Sequence, residues 1–297
     1  MLNAKLKFPA KRHKVLAFRL QPSAFAWSAF TLIELLVVIS ILGILAYLVT
    51  PAIKHFGKAD ATISASRQLL DDVARARQIA ISQRTTIYMV FVPTNFWGGD
   101  SGVFLSGLSA AEQTAATNLC DKQYTGYTFV SLRSVGDQPG QGRPRYLAPW
   151  QNLPDGTFIA QAKFNNSPLP AQSYPINDPV SGAVYNICGF NYTNIFPFPV
   201  ETNLNFALTF PVNLPYIAFN YLGQLTVDGV NLADRDEYIP LAKGGVLLAR
   251  DSVTKALQLD PADVMETPPG NSTNSSYNIV HIDRLTGRAV LEFQKTQ

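Results

Sequence analysis

The chain has 297 residues, of which 15% are charged and 11% aromatic, and it contains 20 prolines. This composition excludes a disordered chain and favours a loop-rich folded protein, which at this length can be a single β-rich domain. The net charge of +3 comes entirely from residues 1–29, which hold six basic and no acidic side chains, so the remainder carries −3 and does not favour nucleic acid as a partner.

An apolar segment follows this basic leader. Residues 30–49 provide 20 mostly apolar positions, about 30 Å of helix, which matches the hydrocarbon thickness of a bilayer. A buried core helix is the alternative, but such a helix seldom follows a purely basic arm. The positive-inside rule predicts a single-pass inner-membrane protein with a cytoplasmic N-terminus and a periplasmic domain after Pro51.

The junction between leader and apolar segment reads SAFTLIE over residues 28–34. An ordinary signal peptide has its small-residue cleavage site after the apolar region, whereas here the small residues precede it. The junction resembles the processing motif of the type IV prepilin family, in which a small residue precedes Phe-Thr-Leu-Ile-Glu and an apolar helix. The resemblance implies that prepilin peptidase cleaves between Ala29 and Phe30 and methylates the new amine of Phe30. The family usually has Gly where this chain has Ala29, and most leaders are shorter.

Glu34 is a carboxylate near the start of the apolar helix, where an unpaired charge costs a few kcal/mol in lipid. The resemblance implies an assembly role, with Glu34 facing the terminal amine of a neighbouring subunit in a filament. The other interpretations are a carboxylate at the lipid headgroups or one that favours the positive end of the helix. Pro51 predicts a kink or a helix end. The resemblance implies helix breaks at Gly43 and Pro51, between which the helix can unwind on assembly.

Residues 54–84 continue as an amphipathic helix with an apolar stripe that includes Leu69, Val73, Ala76 and Ala80. The charged residues lie mostly off the stripe and predict a solvated face. Patterns of β-branched and aromatic residues then predict strands at Thr86–Pro93, Tyr124–Arg133, Asn203–Phe210, Tyr216–Asn220, Gln224–Val227, Gly245–Ala249, Tyr277–Asp283 and Arg288–Phe293. We therefore expect an α+β fold in which a long N-terminal helix packs on an antiparallel β-sheet.

Two hairpin turns are predicted, one at Leu222-Gly223 and one at Leu285–Gly287. The order of helix, early strand and two late hairpins resembles the FimT/GspH-like branch of minor pilins and pseudopilins. The expected organisation is a leader (1–29), a transmembrane and assembly helix (30–53), its amphipathic continuation (54–84) and a periplasmic domain (85–297).

Residues 95–215 are rich in Gly, Pro, Asn and Ser and predict a loop-rich insertion into that domain. Its run of aromatic residues near 190–211 suits a partner interface or the insertion's own small core. Cys120 and Cys188 lack metal-site spacing, so a disulfide and two buried free thiols are equal alternatives for an exported domain.

No motif of an enzyme, a cofactor site or a metal site stands out, so we expect no catalytic residue and no cofactor. The acidic residues Asp228, Asp234, Asp236 and Glu237 predict a solvated loop rather than a calcium site, and His281 is expected on a solvent-facing strand position. The C-terminal basic residues are too few for a strong DNA site.

The sequence thus predicts a structural minor pseudopilin or pilin. Prepilin peptidase, other pilin or pseudopilin subunits, the inner-membrane assembly platform and the lipid bilayer are its expected partners, and the filament belongs to a type II secretion-like system or a type IV pilus. A DNA-uptake or adhesion pilin that acts as a binding module is the alternative.

Overall fold

The computed structural model describes residues 31–133, 136–138, 142–165, 169, 173–178, 181–197, 212–273 and 278–293, with side chains for all of these except 46–60 and 293. The chain divides into two units, Met1–Ala52 and Ile53–Gln297. Helix α1 is assigned without interruption over Leu32–Gln83, through both Gly43 and Pro51.

In the second unit, α1 buries one stripe against a β-rich domain. Ala65, Leu69, Val73, Ala76 and Ala80 have no exposed surface. Because these residues recur at intervals of three or four, they share one face of the helix. The predicted stripe is therefore the buried face.

The first sheet has six strands: β1 (Ile87–Phe91), β2 (Gly126–Ser131), β3 (Arg145–Tyr146), β4 (Gln151–Asn152), β10 (Tyr216–Phe219) and β11 (Leu225–Thr226). Their order is β11-β10-β1-β2-β3, with β4 also paired to β2, and every pairing is antiparallel. The central strand β1 is buried along its whole length. Its residues alternate between the two faces of the sheet: Met89 packs in the cluster that includes α1, and Val90 in a second cluster on the other face.

The second sheet is also antiparallel and has five strands: β5 (Thr157–Ile159), β12 (Glu237–Leu247), β13 (Asp263–Glu266), β14 (Asn278–Ile282) and β15 (Ala289–Phe293). Its order is β13-β12-β14-β15, and β5 pairs with the middle of β12, at residues 241–243. Ile239, Leu241, Val280 and Ile282 join the same cluster as the buried stripe of α1. The helix and both sheets therefore share one core.

The predicted insertion is more structured than its composition suggests. It contains α2 (Ser101–Ser106), α3 (Ala110–Leu119), a 3-10 turn (Cys120–Lys122), α4 (Gln161–Asn165) and two short hairpins, β6 (Tyr174–Asn177) with β7 (Val184–Ile187) and β8 (Ile195–Phe196) with β9 (Val212–Asn213). Helix α3 begins with a capping box between Ser109 and Glu112. Such short local signals are easily missed in a segment of high Gly and Pro content.

Aromatic residues of the insertion cover the first sheet. Phe190 stacks on Phe91 with ring centroids 4.5 Å apart, and Phe196 packs edge-on against Tyr88. Phe190 and Phe196 have no exposed surface. Within the described part, these two side chains belong to the core rather than to a partner interface.

Most predicted strands are observed within two or three residues of their expected bounds. The predicted strand Gly245–Ala249 is confirmed in part: it overlaps the end of β12, which begins eight residues earlier and contains Pro240, a residue that is uncommon inside strands. The predicted strand Asn203–Phe210 lies outside the described residues. Both predicted turns are observed, and Gly223 and Gly287 adopt positive φ values of 80° and 61°.

Candidate assembly site

Thr31 and Glu34 form a capping box at the first turn of α1. The backbone N–H and the hydroxyl of Thr31 each donate to Oε2 of Glu34 at 2.8 Å, and the N–H of Glu34 donates to Oγ1 of Thr31 at 3.3 Å. These bonds satisfy donors that the start of a helix otherwise leaves unpaired. The spacing T-x-x-E was visible in the sequence, although the role of Thr31 was not predicted.

The side chains at residues 32–45 of the first unit are all exposed, and Leu32 is 83% exposed. Apolar side chains therefore point outward on every side of this segment. Ser40 satisfies its own hydroxyl by donating to the carbonyl of Leu36 at 2.8 Å. A helix that is apolar all round is suited to burial in lipid or among other helices.

The other predicted residues of this site are only partly described. Ala29 and Phe30, the predicted processing and methylation positions, lie outside the described residues. A methyl group placed on Gly43 would meet nothing within 4 Å, so packing around it does not require glycine. Because α1 continues through Gly43 and Pro51, the helix break on assembly stays a prediction. In the part of the chain that the structure describes, no helix has the length and apolar character needed to cross a membrane.

A buried polar contact holds the second part of α1 on the first sheet. Tyr127 donates to Oδ2 of Asp72 at 2.5 Å and accepts a bond from Gln68 at 2.8 Å. Burial and the neighbouring Asp72 carboxylate raise the pKa of Tyr127 far above its ordinary value. Asp72 was expected on the solvated face of the helix, and that expectation is wrong because Tyr127 offers it a buried partner.

The two late hairpin turns pack together beside α1. A methyl group on Gly287 would collide with the carbonyl oxygen of Gly223, and one on Gly223 would lie 2.7 Å from Cδ1 of Ile81. Arg77 donates to the carbonyl of Thr286 at 2.6 Å. The helix and both turns therefore approach so closely that positions 223 and 287 leave no room for a side chain.

Cys120 and Cys188 are both buried free thiols in the structure, which is one of the two alternatives that the sequence left open. Cys120 packs in the cluster on the outer face of the first sheet, whereas Cys188 follows β7. Burial raises the pKa of the Cys120 thiol to about 12, so this cysteine is poorly reactive at neutral pH.

The acidic residues that were expected in a solvated loop have specific partners. Asp228 accepts backbone bonds from Val230 and Asn231, which lower its pKa. Asp236 contacts a half-buried His281 at 3.1 Å, and Glu237 pairs with the buried Lys163. These carboxylates stabilise loops and strand ends, and no group of three metal-ligating side chains occurs among the described residues.

His281 is less exposed than expected. Its ring stacks on Tyr238 with centroids 4.6 Å apart, and Nδ1 lies 3.5 Å from Glu292. Nearby, Arg284 donates to the carbonyl of Asp234 at 2.7 Å. One of the few C-terminal basic residues is therefore already bonded within the fold.

Comparison with known families gives one match, which falls on this helix start. Residues 28–47 match the prokaryotic N-terminal methylation motif. The chain therefore carries the signal of type IV pilin-like and pseudopilin precursors, which are processed by prepilin peptidase. That class of signal suggests a structural subunit rather than an enzyme. No curated protein and no solved structure matches the chain.

Proposed function

We propose that the protein is a minor pseudopilin or minor pilin of the FimT/GspH-like branch, which enters a type II secretion-like pseudopilus or a type IV pilus. The match of residues 28–47 to the methylation motif is the observation that carries this proposal. The α+β domain with its long helix and two late hairpins supports the branch.

In this proposal the leader (1–29) is cytoplasmic, residues 30–53 anchor the precursor in the inner membrane, and residues 54–84 lead into a periplasmic domain (85–297). The outward-facing apolar side chains at 32–45 support the anchor. Prepilin peptidase cuts between Ala29 and Phe30 and methylates Phe30. The assembly platform of the inner membrane then moves the helix from lipid into the filament, where other subunits pack around it.

Glu34 is the proposed assembly residue. Both hydrogen bonds that Thr31 donates to Glu34 reach Oε2. Oε1 accepts no hydrogen bond from another described residue, so it can accept one from the amine of a neighbouring subunit. The pairing of these charges offsets the cost of placing either one in an apolar filament core. The sharp turn of the capping box holds the carboxylate at the helix start.

The intact mass of the membrane-extracted protein tests the proposed processing. We expect a chain that begins at N-methylated Phe30. Replacement of Ala29 by Leu should leave the leader attached, because the site requires a small residue, and Ser23→Leu in the leader serves as the control. A wild-type protein that retains Met1 would contradict the proposal.

Glu34→Ala tests the assembly role separately. The variant should lose its leader as the wild type does, but its content in sheared filaments should fall by tenfold or more because the amine of the neighbour has lost its partner. Ser40→Ala is the control on the same helix, since it removes a hydroxyl that donates to the carbonyl of Leu36 and keeps both the capping box and the Glu34 charge; its incorporation should match the wild type. Equal incorporation of Glu34→Ala and wild type would reject the role.

A further inference from the structure

A cavity of about 360 Å³ lies in the insertion, beyond the end of β1. This volume is within the range of small-molecule sites, roughly 300–1,000 Å³. The loop 93–98, α2, α4 and β9 all contribute to its wall. The proposed assembly function does not use this cavity.

Five aromatic residues contribute to the wall. Phe96, Trp97, Phe104, Phe164 and Tyr192 line the cavity. Phe96 packs edge-on against Trp97 with centroids 4.9 Å apart, and Tyr192 donates to the carbonyl of Phe164 at 3.0 Å. These contacts help to hold the rings in place, which lowers the entropy cost of binding a ligand against them.

Amide side chains complete the wall at exposed positions. Asn95, Asn165 and Asn213 line the cavity and are exposed, and their side chains form no hydrogen bond with one another or with the rest of the described residues. Each amide supplies two donors and an acceptor. Asn95 also has a φ of 52°, a left-handed conformation that Asn tolerates better than most residues.

Two neighbouring buried hydroxyls at the cavity are poorly paired. Oγ1 of Thr94, another lining residue, and the neighbouring hydroxyl of Tyr124 make no hydrogen bond of good geometry to any group that the structure describes. Burial raises the pKa of Tyr124, and weaker side-chain interactions with Thr94 and Gln161 act against that rise. Buried polar atoms are nearly always paired, and leaving one unpaired costs about 1–3 kcal/mol. A bound molecule that reaches Thr94 with a hydroxyl would offer it a better-aligned partner than Tyr124 does.

We propose that this cavity binds a neutral carbohydrate residue. A pyranose has an apolar C–H face that suits the electron-rich faces of aromatic rings, and its hydroxyls both donate and accept, as the three amides and Thr94 require. No charged side chain occurs among the described residues that line the cavity. A uronic acid or an amino sugar would therefore lose hydration of its charge without gaining a partner.

Saturation-transfer NMR on the full-length protein tests this proposal. The protein is kept in a zwitterionic, sugar-free detergent, because glycoside detergents would compete. The ligands are the methyl glycosides of glucose, galactose, mannose and N-acetylglucosamine, with glucuronic acid and glucosamine as charged comparators. We expect at least one neutral glycoside to bind with a Kd on the order of 1 mM and the charged comparators to bind more weakly than it.

Three substitutions and one control locate the binding. Asn165→Ala and Asn213→Ala should each weaken the Kd by roughly 2- to 12-fold, the range for one hydrogen bond, whereas Asn118→Ala on the exposed side of α3 should leave it unchanged. Thr94→Val keeps the side-chain shape and should weaken binding without lowering the Tm of the free protein.

The proposal is overturned if no neutral glycoside binds. It is also overturned if the Kd is unchanged in both Asn165→Ala and Asn213→Ala, or if a charged comparator binds as tightly as the neutral ligand. Because leader removal and filament incorporation are measured separately, these results leave the proposed assembly function standing.

Discussion

Gly287 shows how one residue controls the contact between the late hairpins and α1. Its φ is 61°, and a methyl group there would meet the carbonyl oxygen of Gly223. The positive φ was predictable from the turn pattern, but the second restriction comes from a turn more than 60 positions earlier in the chain. Local sequence therefore predicts the positive φ of Gly287 but not its close approach to the carbonyl oxygen of Gly223.

Gly287→Ala should lower the free energy of unfolding by more than the 1–2 kcal/mol expected for a left-handed alanine alone, because the Gly223 backbone must also move. Gly182→Ala is the matched control: its φ is 72°, and a methyl group there meets nothing within 4 Å. Urea denaturation of both variants measures the difference. Equal losses would show that the approach of the two turns does not restrict position 287.

At the scale of elements, the docking of α1 on the first sheet combines an apolar stripe with one buried polar contact. The stripe was predictable, since residues such as Leu69 and Val73 recur at helical spacing. The contact of Asp72 with Tyr127 was not, because the two residues are 55 positions apart. A buried hydroxyl bonded to a carboxylate makes this interface sensitive to alkaline pH.

The stability of the domain should fall as the pH rises above about 10, the ordinary pKa of tyrosine. Burial raises the pKa of Tyr88 to about 12 and that of Tyr127 further. The unfolded chain then loses these protons at a lower pH than the folded chain, so the stabilisation is complete below pH 10 and is lost progressively above it. Urea midpoints at pH 9, 10 and 11 should show the decline.

Tyr127→Phe isolates the contribution of one hydroxyl to this pH dependence. The variant should be less stable at pH 8 by about 1–3 kcal/mol, since Asp72 stays buried without its donor, and its stability should fall less steeply above pH 10. Tyr221→Phe, at a side chain that is 57% exposed, should match the wild type. A Tyr127→Phe slope equal to the wild-type slope would contradict the role of Tyr127.

At the scale of the whole molecule, the insertion is integrated with the second unit rather than appended to it. Its helices α2 and α3 cover the outer face of the first sheet, and Ile176 and Ile187 of β6 and β7 pack with Ile279 of the second sheet. Lys163 links α4 to the second sheet: it is fully buried, pairs with Glu237 and donates to the carbonyl of Cys188 at 2.6 Å.

Lys163→Met should therefore destabilise the domain by about 3 kcal/mol, because Glu237 keeps a partly buried charge without a partner. The double variant Lys163→Met/Glu237→Leu should recover most of this loss, since neither charge is then buried alone. Lys255→Met, at an exposed position, should have little effect. Thermal unfolding of the four proteins measures the differences, and a double variant no more stable than the single one would argue against the ion pair.

Several features could be recognised from local sequence, because their signals lie within a few neighbouring residues: the basic leader, the junction at Ala29 and Phe30, the apolar helix start with Glu34, the buried stripe of α1 and both late turns. Other features became visible only in the folded chain: the burial of Asp72, the pairing of Lys163, the placement of Cys120 and Cys188 on different elements and the cavity lined by Thr94. These features depend on side chains that are far apart along the chain and meet only when the two sheets, the helix and the insertion pack together.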